Sequence, residues 1–115
     1  MDLSTFRVLL SDVGQAALHA AHALQPTEHT LLSCLHQLRK KFPDTLVNAA
    51  IETVRLRQKA AVKFSLADVM YFERLALEQA SGEIVANHRA QRFAPFERVG
   101  DWCCVCCYTW WHRTR

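Results

Sequence analysis

Four cysteines fall within five positions near the end of the chain, Cys103, Cys104, Cys106 and Cys107, with His112 five residues further on. Thiolates and imidazole are the ligands that zinc prefers, and Cys103/Cys106 and Cys104/Cys107 each have the C-x-x-C spacing. A structural zinc site uses two separated pairs, so that the chain can fold back and complete a tetrahedron. Here the pairs interleave, and neighbouring cysteines would compete for one ion. A redox C-x-x-C opens a helix after a strand in a larger α/β setting, and no such setting follows. A lipidated cysteine cluster beside basic residues is a further alternative, against which no prenylation box ends the chain. The set Cys103, Cys104, Cys106, Cys107 and His112 therefore stands as a zinc alternative to a tail with no specific role.

Two other groupings could bind something. His19 and His22 share a helix face at i, i+3, but no third ligand accompanies them. Arg55, Lys59 and Lys63 form an i, i+4, i+8 basic stripe near Arg57, with no acid between Glu52 and Asp68. That stripe is the nucleic-acid candidate, set against a plain solvated helix face. No catalytic set is evident. The chain has no G-x-S-x-G, no phosphate-binding loop and no suggestively spaced carboxylate pair.

The elements that would position these residues read as helices. The chain has 115 residues, half of them hydrophobic, with only three Gly and three Pro, a composition that favours long helices over turns. Ser11 is placed to cap a helix over 12–24 carrying Val13, Ala16, Ala17, Ala20 and Leu24. Leu31, Leu35, Leu38 and Phe42 predict a second helix over about 28–41 that buries the three leucines together. A third covers about 44–62, with Leu46, Ala50 and Val54. A fourth spans about 70–93, with Leu77, Ala80 and Ile84 on one face and a weak point at Ser81-Gly82. Pro95 stops it. Four to five packed helices are expected, mainly α, with at most one orphan strand near 98–104.

Charge and targeting signals narrow the class. Residues 1–84 balance nine basic against nine acidic side chains, and the net charge of +3 comes from Arg89, Arg92, Arg98, Arg113 and Arg115 against Glu97 and Asp101. The N-terminus lacks a secretory signal and no stretch is long and apolar enough to span a bilayer. The cytoplasm is the expected compartment, in keeping with an odd number of cysteines.

The stretch "KFSLADVMYFERLALEQASGEIVANHRAQRFAPFERVGDWCC", residues 63–104, resembles the N-terminal part of a bacterial family. These are class I methyltransferases that use S-adenosylmethionine, carry a THUMP-like domain and are related to trimethylguanosine-synthase-type RNA methyltransferases. In that family a helical leader with "KF…MYFTREALEQAT…VA.HRA.RF" runs into "V.DLCCGIGGDTLALA", the first Rossmann-like strand and its glycine-rich turn. The segments "LLSDVGQAALHAAHAL" and "ETVRLRQKAAVKF" also resemble the leader, so the likeness extends over roughly residues 8–104. It implies that Asp101 and Cys103 belong to a cofactor-binding strand whose site is incomplete here. The match ends after Cys104: Val105, Cys106, Cys107, Tyr108 and Thr109 stand where the family has Gly-Ile-Gly-Gly-Asp. Glu73 stands where the family usually has Thr.

The resemblance thus implies a helical leader at 1–94, the start of a Rossmann-like domain at 95–104, and a non-family tail at 105–115. The tail reads as an out-of-frame product. Trp110-Trp111-His112 must be encoded TGG TGG CAY, which reads Gly-Gly one base later. By resemblance, full-length relatives transfer a methyl group from S-adenosylmethionine, with RNA as acceptor. This fragment is expected to be inactive and to hold no cofactor, because the sheet that forms the cofactor crevice is missing. The alternative is a small helical interaction or nucleic-acid-binding module with a cysteine-rich, zinc-binding tail.

Overall fold

The computed structural model describes residues 1–100, and those residues are helical, with no strand among them. Among the described residues there are six α-helices, α1 (Leu3–Leu9), α2 (Asp12–Leu24), α3 (Leu31–Arg39), α4 (Asp44–Ala60), α5 (Arg74–Gln79) and α6 (Glu83–Phe93), and a 3-10 turn at Ala67–Val69. The chain divides into two compact units, Met1–Arg57 and Gln58–Arg115. The division falls inside α4.

In the first unit, α1 begins where the Asp2 carboxylate accepts the Thr5 backbone N–H at 2.9 Å and the Ser4 hydroxyl at 2.8 Å. This short helix was not foreseen. Its cap is the acid at position 2. Ser11 then serves two helices at once. Its hydroxyl donates to the Val8 carbonyl at 2.6 Å, closing α1, and accepts the Gly14 N–H at 3.3 Å, opening α2. Gly14 lies so close to the end of α1 that an added Cβ would collide with the backbone carbonyls of Val8 and Leu9. Gln15 reinforces the corner by donating its side-chain amide to the Leu9 carbonyl at 2.9 Å. Leu9, Ala17, Leu18 and Ala21 are buried as α2 packs on α1 and α3.

Gln25 ends α2 with φ 46° in the left-handed region. Pro26 lies buried in the connection ahead of α3. Thr27 and Thr30 exchange backbone-to-hydroxyl hydrogen bonds across the turn that follows. On α3 the expected apolar stripe is present but is only partly covered. Cys34 and Leu38 are buried, while Leu31 and Leu35 are half-buried. On α4, Leu46, Val47, Ala50 and Val54 are buried at helical spacing.

The second unit corrects the long helix expected over 70–93. Residues 70–73 are not helical, and α5 and α6 are separate helices. Ala80 is extended at φ −65°, ψ 135°, and Gly82 takes the N-cap position of α6. The weak point at Ser81-Gly82 is therefore a full break. Ile84, expected on the face of Leu77 and Ala80, is 86 % exposed, because the break rotates the second half of the pattern outward. The expected strand near 98–104 is absent over residues 98–100, and its remainder lies outside the described residues.

Candidate functional site

The three cations of the basic stripe meet different fates. Arg55, on α4, pairs through its guanidinium with the Glu28 carboxylate. Lys59 is exposed near the end of the same helix. Lys63 lies three residues past Ala60, where α4 has stopped, so the i, i+8 helical spacing to Arg55 does not continue that far. What sequence spacing presented as one face is one ion-paired side chain, one exposed lysine and one lysine turned to a structural task.

That task defines the most organised polar cluster among the described residues. The Lys63 ammonium donates to the carbonyl oxygens of Leu77 at 2.8 Å, Ala80 at 3.0 Å and Glu78 at 3.4 Å. These carbonyls end α5, where the helix has no further N–H groups to offer and where the dipole favours a cation. The Lys63 backbone carbonyl in turn accepts the N–H of Glu83, at the start of α6, at 2.9 Å. The Glu83 carboxylate accepts the Ser65 backbone N–H at 2.8 Å and the Ser65 hydroxyl at 2.9 Å. The loop 63–65 thereby ties together the end of α5 and the start of α6 across the break at 80–82.

Apolar contacts support the same loop. Phe64 and Phe72 stack with ring centroids 5.8 Å apart and an interplanar angle of 24°, an offset arrangement that aromatic pairs favour. Both are buried. At the start of α5 the Glu73 carboxylate accepts the Ala76 N–H at 2.9 Å. That hydrogen bond holds the Glu73 carboxyl below its ordinary range.

A different surface is built by α6. Arg89 and Arg92 are exposed, as are Phe93, Phe96 and Arg98. The Phe96 N–H donates to the Phe93 carbonyl at 3.1 Å, so the chain makes one further turn after α6. Ala86 is the buried residue of this helix. The surplus of arginine in the C-terminal third, as a sequence feature, permits nucleic acid without demanding it. The signal available was the interleaving of Arg and Phe in "HRAQRFAPFER".

His19 and His22 are both exposed on α2, and no group of three or more His, Cys, Asp or Glu side chains converges on a metal-sized space among the described residues. Asp101 and Cys103, the cofactor-binding residues implied by resemblance, lie outside the described residues. So do Cys104, Cys106, Cys107 and His112 of the zinc alternative. Among the described residues no helix is long and apolar enough to cross a membrane.

Comparison with known families places residues 2–60 in a family described as Domain of unknown function (DUF8688). The matched span runs from the Asp2 cap of α1 to Ala60, the last residue of α4. No curated protein and no solved structure matches the chain.

Proposed function

The chain belongs to the domain-of-unknown-function family DUF8688, and we propose that it is the helical leader of an S-adenosylmethionine-dependent, RNA-directed methyltransferase of the cytoplasm, without activity by itself. The reading applies to residues 8–104, which resemble that leader and the first strand after it.

The observation that carries the reading is where the resembling residues sit. Lys63, Phe64, Phe72, Leu77 and Ala80 all belong to the pattern shared with those methyltransferases. They are also the residues that close the second unit: Lys63 on the last carbonyls of α5 and Phe64 against Phe72. The departure at Glu73 keeps its role. Threonine, the residue usual at that position, is a strong helix N-cap, and Glu73 accepts the Ala76 N–H in the same capping position. A pattern whose members make these contacts describes a folded element rather than a chance run of residues.

In such an enzyme the cofactor would lie outside the carboxyl ends of parallel strands, against a glycine-rich turn that lets the backbone approach it. The leader contributes a packed support for the first strand and no reacting group. The test is the coding DNA beyond the Cys104 codon. The expected result is a glycine-rich turn and further methyltransferase strands in one of the three frames. Their absence from all three frames would overturn the reading.

A further inference from the structure

We propose that the α6 face bearing Arg89, Arg92, Phe93 and Phe96, with Arg98 beyond it, is a binding surface for single-stranded nucleic acid. The inference rests on exposure and charge and does not depend on the methyltransferase reading.

Elsewhere in the described chain, several cations have intramolecular employment. Arg55 pairs with Glu28, Arg39 lies 3.4 Å from Asp44, and Lys63 caps α5. On α6 the helical neighbours of the arginines offer nothing comparable. Positions i±3 and i±4 from Arg89 are Val85, Ala86, Arg92 and Phe93, and from Arg92 they are His88, Arg89, Pro95 and Phe96. No acid lies among them. Arg89 and Arg92 are themselves helical neighbours of like charge, a placement that weakens a lone helix and that a bound anion would relieve.

The apolar component is as specific as the charge. Phe93 is 42 % exposed and Phe96 65 % exposed. The turn closed by the Phe96 N–H on the Phe93 carbonyl keeps Phe96 within one turn of the end of α6, next to Phe93 and Arg92 in sequence. Guanidinium groups alternating with open aromatic faces match an oligonucleotide, whose phosphates meet the arginines while unpaired bases stack on the rings. A duplex hides its base faces and would leave the phenylalanines unused. Glu97 is the only acid in residues 84–100, so the patch keeps a net positive field toward a phosphate chain.

Fluorescence anisotropy on the full chain tests this, using labelled oligouridylate and oligothymidylate of about 12 nucleotides, a duplex of the same length, and phosphatidylserine vesicles. The expected result is single-strand binding with a Kd of about 1–100 µM that weakens as salt rises. The oligouridylate and oligothymidylate arms assign the strand as RNA or DNA by whichever binds tighter. Arg89→Gln with Arg92→Gln should lower affinity about tenfold or more and reduce the log–log salt slope by about 1.4, two phosphates at about 0.7 each. Phe93→Leu with Phe96→Leu should weaken binding and leave that slope unchanged. Lys59→Gln should have no effect. Circular dichroism of each variant confirms that helix content is retained. No single-strand binding by the native chain overturns the proposal. So does undiminished binding by both double variants, or tighter binding to the duplex or the vesicles than to either single strand.

Discussion

The ammonium of Lys63 and the carbonyl oxygen of Leu77 are 2.8 Å apart across fourteen residues of sequence. This contact, with its companions at Glu78 and Ala80, converts a lysine that looked like part of a surface stripe into the C-terminal cap of α5. Lys63→Met keeps the aliphatic stem and removes the donors. We expect a loss of about 1–2 kcal/mol in stability, the scale of hydrogen bonds from a charged donor at a partly exposed site. Urea unfolding followed by circular dichroism measures it. A variant as stable as the native chain would return Lys63 to the solvent-facing stripe.

Gly14 supplies a test with an informative sign. Replacing glycine by alanine inside a helix ordinarily stabilises it by about 1 kcal/mol. Here the new Cβ meets the backbone of Val8 and Leu9, atoms that no side-chain rotation can move. Gly14→Ala should therefore destabilise by at least about 2 kcal/mol, a fall in thermal midpoint on the order of 10 °C for a domain of this size. A rise in midpoint would show that α1 does not approach α2 so closely.

Two helices begin on carboxylates, which gives a defined acid response. The Asp2 carboxyl is lowered to about 2, first by its hydrogen bonds with Thr5 and then by the Ser4 hydroxyl. Glu73 is lowered chiefly by the Ala76 N–H. A group whose pKa falls on folding adds stability above its unfolded pKa, and that contribution disappears as pH drops through the folded value. Both contributions should thus be fully present above the ordinary glutamate value of 4.5, and the Asp2 cap should fail only toward pH 2. The chemical shift of the Thr5 amide, followed by NMR from pH 5 to pH 1.5, should titrate with a midpoint near 2. A midpoint at the ordinary 3.8 of an aspartate would mean that the cap is not formed.

The parts of the fold that could be read in advance are those fixed by neighbours in sequence. Ser11 and the periodic apolar residues after it marked α2 from Asp12 to Leu24, because an N-cap and its helix are local. The division between α5 and α6 was read only as a weak point. Leu77, Ala80 and Ile84 keep helical spacing, and nothing local reveals that Ala80 is extended and that its carbonyl has a lysine partner. The close approach of Gly14 to α1 was also illegible, since a glycine near the start of a helix looks like a minor cost unless the second helix is known. The Arg55, Lys59, Lys63 spacing does not stay on one helix for a related reason. Equal spacing implies one face only while the helix lasts, and α4 ends at Ala60. The candidate cofactor residues Asp101 and Cys103 came from resemblance alone, and local physics had no independent means of finding them.

The most direct test of the central claim is an S-adenosylmethionine titration by calorimetry of two proteins. One is this chain. The other has the glycine-rich turn and the further strands restored after Cys104, continued through the downstream coding sequence. The account predicts saturable micromolar binding by the restored protein and none by this chain. Binding by this chain alone, or none by the restored protein, would contradict the claim that residues 8–104 are a methyltransferase leader.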